Sequence, residues 1–372
     1  MIRDASVTRR EALVLLGIGA KAGLVSVLGD PAEAFGPNPQ SAAQSRPVTF
    51  PRGAIIRTVL KDVPPEALAG GAILFHEHLS LHGRDPYSDD VGVMAAEVKA
   101  AAKEGGITCI VDGGHADMNR NVDDLRRIDK ESGVPIVASG GYYTDRSYPP
   151  EIATKSIDQI ADDLVKEASG QRFGAYGEIG QAVGLLTEKE QKVFRAVGRA
   201  HSRNGLPIFT HNPYVGTQPN AKMIPRDTAL RQLDALEAGG GDPKHICIGH
   251  VCCLDDPQAD VAVQLAKRGV FVGFDRATSP TDTPGGPTVR VLDEQKAKTV
   301  VAMCEAGYAD HVLISSDFSH GVSMKKNGGP GIAMSVTIFE PMLRKAGLPQ
   351  ATIRAIRSDN TRRFLAFVPR PA

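Results

Sequence analysis

The chain has 372 residues, 42% of them hydrophobic and 23% charged, the make-up of a soluble globular protein with ample material for a core. Lys plus Arg and Asp plus Glu each number 43, so the net charge is zero and nothing points to nucleic acid or an acidic surface as partner. Tryptophan is absent and aromatics make up 5%, which weakens a carbohydrate-stacking role.

The N-terminus reads differently from the rest. Arg9 and Arg10 precede an apolar run over 13–28, and Ala32-Glu33-Ala34 supplies the small residues of a cleavage site. Together these predict an export signal of the twin-arginine (Tat) type over 1–34, and a periplasmic or secreted mature protein. Gly17, Gly19, Lys21 and Gly23 interrupt the apolar run, so no stable membrane span is expected. Residues 35–50, rich in Pro, Ser, Gln and Ala, predict a flexible mature N-terminus, leaving 51–372 as one domain. The five cysteines (109, 247, 252, 253 and 304) imply no disulfide framework. Cys109 and Cys247 lie in apolar runs as small buried hydrophobes, while the vicinal Cys252-Cys253 pair follows His250 and is placed to line a pocket.

From Ile73 onward, strand-like and helix-like segments alternate. Strands are expected at 73–79, 107–112, 134–138, 173–180, 206–211, 245–250, 270–274 and 311–317. Helical spacing covers 91–103, 121–131, 151–168, 188–204, 228–238, 257–268, 289–306 and 333–346. Eight such units in series predict an α/β fold, a single-domain TIM (β/α)8 barrel. A doubly wound sheet would usually carry a Gly-rich phosphate loop, and Gly113-Gly114 is no G-x-G-x-x-G. The stretch 353–367 predicts an added C-terminal helix packed on the outside.

Ionisable residues cluster on this map. In Leu74-Phe-His-Glu-His-Leu79, alternation along a strand puts His76 and His78 on one face and Glu77 on the other. Glu178 closes the fourth strand, His211 the fifth, His250 the sixth and Asp317 the eighth. The carboxyl ends of barrel strands converge on one rim, and this set takes four of the ten histidines. Scattered structural residues would not gather there. Six ligands exceed one tetrahedral zinc but suit two metals ~3.5–4 Å apart that share a carboxylate and a water. A two-metal hydrolase is the expectation.

The order of these residues resembles the amidohydrolase superfamily. Phe75-His-Glu-His-Leu79, Thr210-His211, Ile248-Gly-His250 with Asp255-Asp256, Gly273-Phe-Asp275-Arg276 and Asp359-Asn-Thr-Arg-Arg-Phe-Leu365 narrow the resemblance to the phosphotriesterase family, from about residue 70 to the end. The resemblance implies a TIM barrel with a binuclear centre of two divalent ions, Zn²⁺ foremost and Mn²⁺, Co²⁺ or Fe²⁺ as substitutes. It implies that His76, His78 and Asp317 hold the buried metal and that His211 and His250 hold the more exposed one. Glu178 takes the bridging position, where many members carry a carbamylated lysine. In this respect the chain resembles the phosphotriesterase homology proteins. Asp317 is expected to ligate and also to take a proton from the attacking water. Arg276 matches an arginine that lines the pocket of lactonase-like members, and Tyr143 is the candidate pocket tyrosine. His115 and His320 lie in loops on the same rim, His245 and His311 face the opposite end, and His201 is expected on a solvated helix face.

The loops 277–287 and 319–330 are rich in Gly, Pro and Ser and are expected to form the substrate lid. The implied activity is cleavage of a lactone or carboxylic ester by a metal-bridging hydroxide, with promiscuous phosphotriesterase activity. The alternatives are a true phosphotriesterase or phosphodiesterase, and a catalytically idle periplasmic metal-binding barrel. The implied partner is a small ester, lactone or phosphotriester; many relatives dimerise, and a homodimer is compatible with the sequence.

Overall fold

The computed structural model describes residues 48–83, 86–215, 224–279 and 291–370. The expected N-terminal export signal, nearly all of the expected flexible stretch and the segment 280–290 lie outside the described residues. Among the described residues, no helix is long and apolar enough to cross a membrane.

Eight strands form one parallel sheet in chain order: β3 (Ala72–Glu77), β4 (Ile107–Asp112), β5 (Ile136–Gly140), β6 (Ala175–Gly180), β7 (Ile208–His211), β8 (Ile246–Ile248), β9 (Phe271–Phe274) and β10 (Val312–Ile314). Helices run between them, and the sheet curls into a nearly closed (β/α)8 barrel, as expected from the alternating pattern. A short antiparallel hairpin, β1 (Ile56–Arg57) and β2 (Asp62–Val63), precedes the barrel. Alternation sorts the apolar side chains. Phe75, Val111, Val137, Phe209, Phe271 and Leu313 fill one buried cluster inside the barrel, while Leu74, Ile110, Ile136, Ile208, Ile248 and Val272 join the layer shared with the helices.

The helices that surround the sheet begin and end on readable signals. α4 (Glu188–Asn204) starts on a capping box made by Thr187 and Glu190 and stops at Gly205, whose φ is 79°. α3 (Ile157–Gln171) starts later than the apolar pattern predicts, because Ser156 and Gln159 form a capping box there. The preceding 150–153 form only a short 3₁₀ turn behind Pro149.

Two expectations are corrected. The C-terminal segment α10 (Thr361–Leu365) does not lie outside the barrel: Phe364 is buried and meets Phe75 and Phe271 edge-on, closing the interior from below. His201 is not solvated. It is buried on α4, and its Nδ1–H donates to the Leu206 carbonyl at 2.7 Å, which ties the helix end to the strand that follows.

The seam between the first and last barrel strands is closed without a regular ladder. The Asp317 amide donates to the His76 carbonyl at 3.1 Å, and the His78 amide to the Phe318 carbonyl at 3.0 Å. Glu77 completes the join. Its buried carboxylate accepts from Ser315 Oγ (2.7 Å), the Ser316 amide (3.0 Å) and the Phe318 amide (2.7 Å).

Candidate metal centre

Plain alternation alone would not aim all six candidate ligands inward. It serves β7, where Phe209 and His211 share the inner face. In β3 the pairing with β4 steps from Leu74↔Ile110 to Glu77↔Asp112, so one extra residue is inserted and both Phe75 and His76 turn inward. β6 does the same against β7, stepping from Tyr176↔Ile208 to Ile179↔Thr210 around Glu178. Gly177 makes this second bulge feasible: its φ is 154°, and a Cβ there would sit 2.3 Å from the Phe209 ring. His250 (φ 55°) and Asp317 (φ 48°) adopt left-handed backbone conformations that cost non-glycine residues energy. Two bulges and two strained residues at four ligand positions mark a functional constraint rather than a packing requirement.

The six side chains converge. Glu178 sits at the centre, with Oε1 3.3 Å from His78 Nε2 and Oε2 3.0 Å from His211 Nδ1, 3.2 Å from His76 Nε2 and 3.4 Å from His250 Nε2. Asp317 Oδ1 lies 3.2 Å from His78 Nε2 and 4.0 Å from His76 Nε2. Two groups have ligand atoms close enough to share one ion: His76, His78 and Asp317, and His76, Glu178 and His250. The first matches the expected buried site. In the second, His76 rather than His211 stands beside His250, while His211 remains 3.0 Å from His250 and is the most exposed ligand of the set.

Asp275 supplies what the sequence reading missed. It is fully buried at the end of β9, with Oδ2 2.9 Å from His76 Nδ1 and Oδ1 3.0 Å from His250 Nδ1 and 2.8 Å from the His250 amide. Both Nδ1 atoms therefore carry the proton, and both Nε2 lone pairs face Glu178. His76 Nε2 is buried and has no hydrogen-bond partner. An imidazole nitrogen without a hydrogen bond, amid two carboxylates and three further imidazoles and 3.2 Å from Glu178 Oε2, fits a divalent cation.

The electrostatics agree. Burial alone would lower the His78 pKa, but Asp317 and Glu178 carry it up to about 9. His250 is likewise pushed up by Asp275 and Glu178 against its burial, to about 10, and His76 rises well above its ordinary value. Burial would raise Glu178 and Asp275, yet the surrounding histidines hold both below the usual carboxylate range. For Asp317 the opposing charge is chiefly Arg276. This cluster attracts positive charge, and in the absence of a cation it takes up protons instead.

The expected neighbours are present. Arg276 is buried, and its Nη1 donates to Asp317 Oδ2 at 2.5 Å, so it contacts the centre rather than forming a surface pair with Asp275. Lys296 Nζ, itself buried, donates to the Arg276 carbonyl at 2.6 Å and anchors that loop. The Tyr143 hydroxyl lies 3.3 Å from His211 Nε2. His115 is fully buried and both its ring nitrogens lack hydrogen-bond partners; His320 is partly exposed at the start of a 3₁₀ turn. Cys252 and Cys253 are free, with sulfurs 3.9 Å apart, and Cys252 Sγ is 3.8 Å from Asp275 Oδ1. A cleft of about 520 Å³ opens beside His211 and Tyr143, within the size range of small-molecule sites.

The phosphotriesterase family model matches residues 56–365. The chain belongs to that family. The phosphotriesterase homology protein of Escherichia coli is 28% identical over 306 residues, covering 79% of this chain and 97% of that protein. An N-acetyltaurine hydrolase of Danio rerio is 26% identical, covering 84% of this chain and 98% of that protein. Among solved structures, a resiniferatoxin-binding protein from Rhodobacter sphaeroides is 31% identical with a TM-score of 0.72, covering 86% of this chain and 96% of that one. Enzymes of the phosphotriesterase family are hydrolases that use a binuclear metal centre, and the His, Glu and Asp groups described above can bind metal.

Proposed function

We propose that the chain is a binuclear-metal hydrolase that cleaves a carboxylic ester or lactone, with zinc as the resident metal. The observation that carries this reading is the buried His76 Nε2, which makes no hydrogen bond at the centre of a carboxylate–imidazole cluster, while Asp275 ties down the Nδ1 atoms of His76 and His250. His76, His78 and Asp317 would hold one ion, His211 and His250 the other, and Glu178 would bridge them. When bound, such ions supply Lewis acidity to the scissile carbonyl or phosphoryl oxygen and make a water acidic enough to lose its proton near pH 7.

The protein's own residues do the rest. Asp317 is the carboxylate placed to accept the proton of the attacking water. Its Oδ2 takes the Arg276 hydrogen bond, which keeps it ionised and fixes its rotamer, while Oδ1 stays turned to His78. Tyr143 stands at the mouth beside His211, where its hydroxyl can orient a substrate oxygen. Glu178 is shorter than a carbamylated lysine but brings the same single charge and two oxygens, and the β6 bulge moves it toward the centre.

The test is a panel of esters, lactones, a paraoxon-type phosphotriester, a phosphodiester and an N-acyl amide on the metal-loaded protein. Ester or lactone turnover that is abolished in Glu178→Ala, with loss of bound metal, supports the reading. Turnover of the phosphoester alone would point to the phosphotriesterase alternative, turnover of the amide alone to an amidase, and no turnover at all to an idle metal-binding barrel.

A further inference from the structure

The cleft beside the metal centre has an asymmetric wall. Asp117, Asn119, Tyr143, Arg146 and Ser147 line it together with His211. Asp117 is the acidic side chain of that set, and its outer oxygen is already engaged: Oδ2 accepts from the Tyr143 amide at 2.9 Å and from Ser147 Oγ at 2.8 Å. Its other oxygen is buried and lies 3.5 Å from His115 Nδ1.

These bonds have a structural result. They pin the turn Thr144–Ser147, which is closed by the Ser147 amide on the Thr144 carbonyl at 2.9 Å. Arg146 occupies the third position of that turn and is exposed at the cleft. Among the described residues no carboxylate pairs with it, whereas Arg276, the other guanidinium near the centre, is neutralised by Asp317. The cleft therefore carries a guanidinium held on a fixed backbone, with no counter-ion among the described residues. A planar guanidinium in this situation binds carboxylates, sulfonates and phosphates through paired, charge-assisted hydrogen bonds.

We propose that Arg146 is a specificity-determining residue that binds an anionic group on the substrate, so that the natural substrate carries a carboxylate, sulfonate or phosphate monoester away from its scissile bond. This inference rests on the hydrolase reading above and narrows its substrate class. Asp117 is a positioning residue that acts through the turn.

The test uses pairs of substrates that turn over in the metal-loaded enzyme, one member anionic and the other carrying a neutral amide or methyl ester at the same place. The wild type should favour the anionic member in kcat/KM, and that preference should shrink as salt rises. In Arg146→Ala the preference should fall on the order of tenfold to a hundredfold, chiefly through KM, with Arg146→Lys intermediate. Calorimetric titration with ethanesulfonate, a poor metal ligand, reads the same contact without turnover: binding should weaken in Arg146→Ala. Comparing carboxylate, sulfonate and phosphate members identifies which anion the site prefers. A wild type without preference, or an Arg146→Ala variant that keeps it, overturns the inference while leaving the hydrolase reading intact. A metal-loaded wild type that hydrolyses no ester, lactone, amide or phosphoester, and so supplies no such pair, overturns the hydrolase reading instead.

Discussion

Asp275 orients two imidazoles with one carboxylate, and its role is separable from ligation. Asp275→Asn keeps the size but removes one acceptor, so either His76 or His250 is free to flip its tautomer or rotate. Metal affinity should drop about 10–100-fold by chelator competition, with folding retained. The histidines make a second prediction. With His78 and His250 raised to about 9 and about 10, and His76 also raised, the metal-free site holds protons at pH 7. A metal must displace them, so affinity should climb with pH up to those values and protons should be released on binding. Calorimetry in buffers of different ionisation enthalpy measures this, and a buffer-independent enthalpy would contradict it. His211, whose pKa burial lowers, should contribute no proton. The six candidate ligands could be picked out of the sequence because each stands at or just beyond a strand end. Asp275 was not, because an Asp-Arg pair reads equally as a surface ion pair until the fold buries it.

At the scale of elements, strand periodicity located the barrel but not the geometry of its rim. The bulges in β3 and β6 leave no mark in an apolar pattern, and Gly177 looks like any strand glycine until the Phe209 ring is seen against it. Gly177→Ala should therefore displace Glu178 and cost metal binding as well as stability, both read on the same preparation by chelator competition and a denaturant midpoint. Glu77 reads from alternation as facing away from the site, and so it does; its target, the 315–318 seam, is far off in sequence. Glu77→Gln replaces an acceptor with a donor against buried amides and should cost about 1–3 kcal/mol in a denaturant titration. Helix starts failed where local caps overrode apolar spacing, as at Ser156.

Over the whole molecule, catalytic and structural ends of the barrel separate. The candidate ligands occupy the carboxyl ends of the strands, while Phe364 seals the opposite end against Phe75 and Phe271. Phe364→Ala should lower stability by about 3–5 kcal/mol yet leave the metal content of the folded protein unchanged. The location of α10 was not legible because an amphipathic helix covers a barrel wall or plugs its base with the same sequence pattern. The central claim is that six rim residues build one two-metal centre. Metal content per chain, measured by elemental analysis on protein reconstituted with zinc and freed of excess ion, tests it most directly. The account predicts about two ions per chain in the wild type. One ion or none would contradict it.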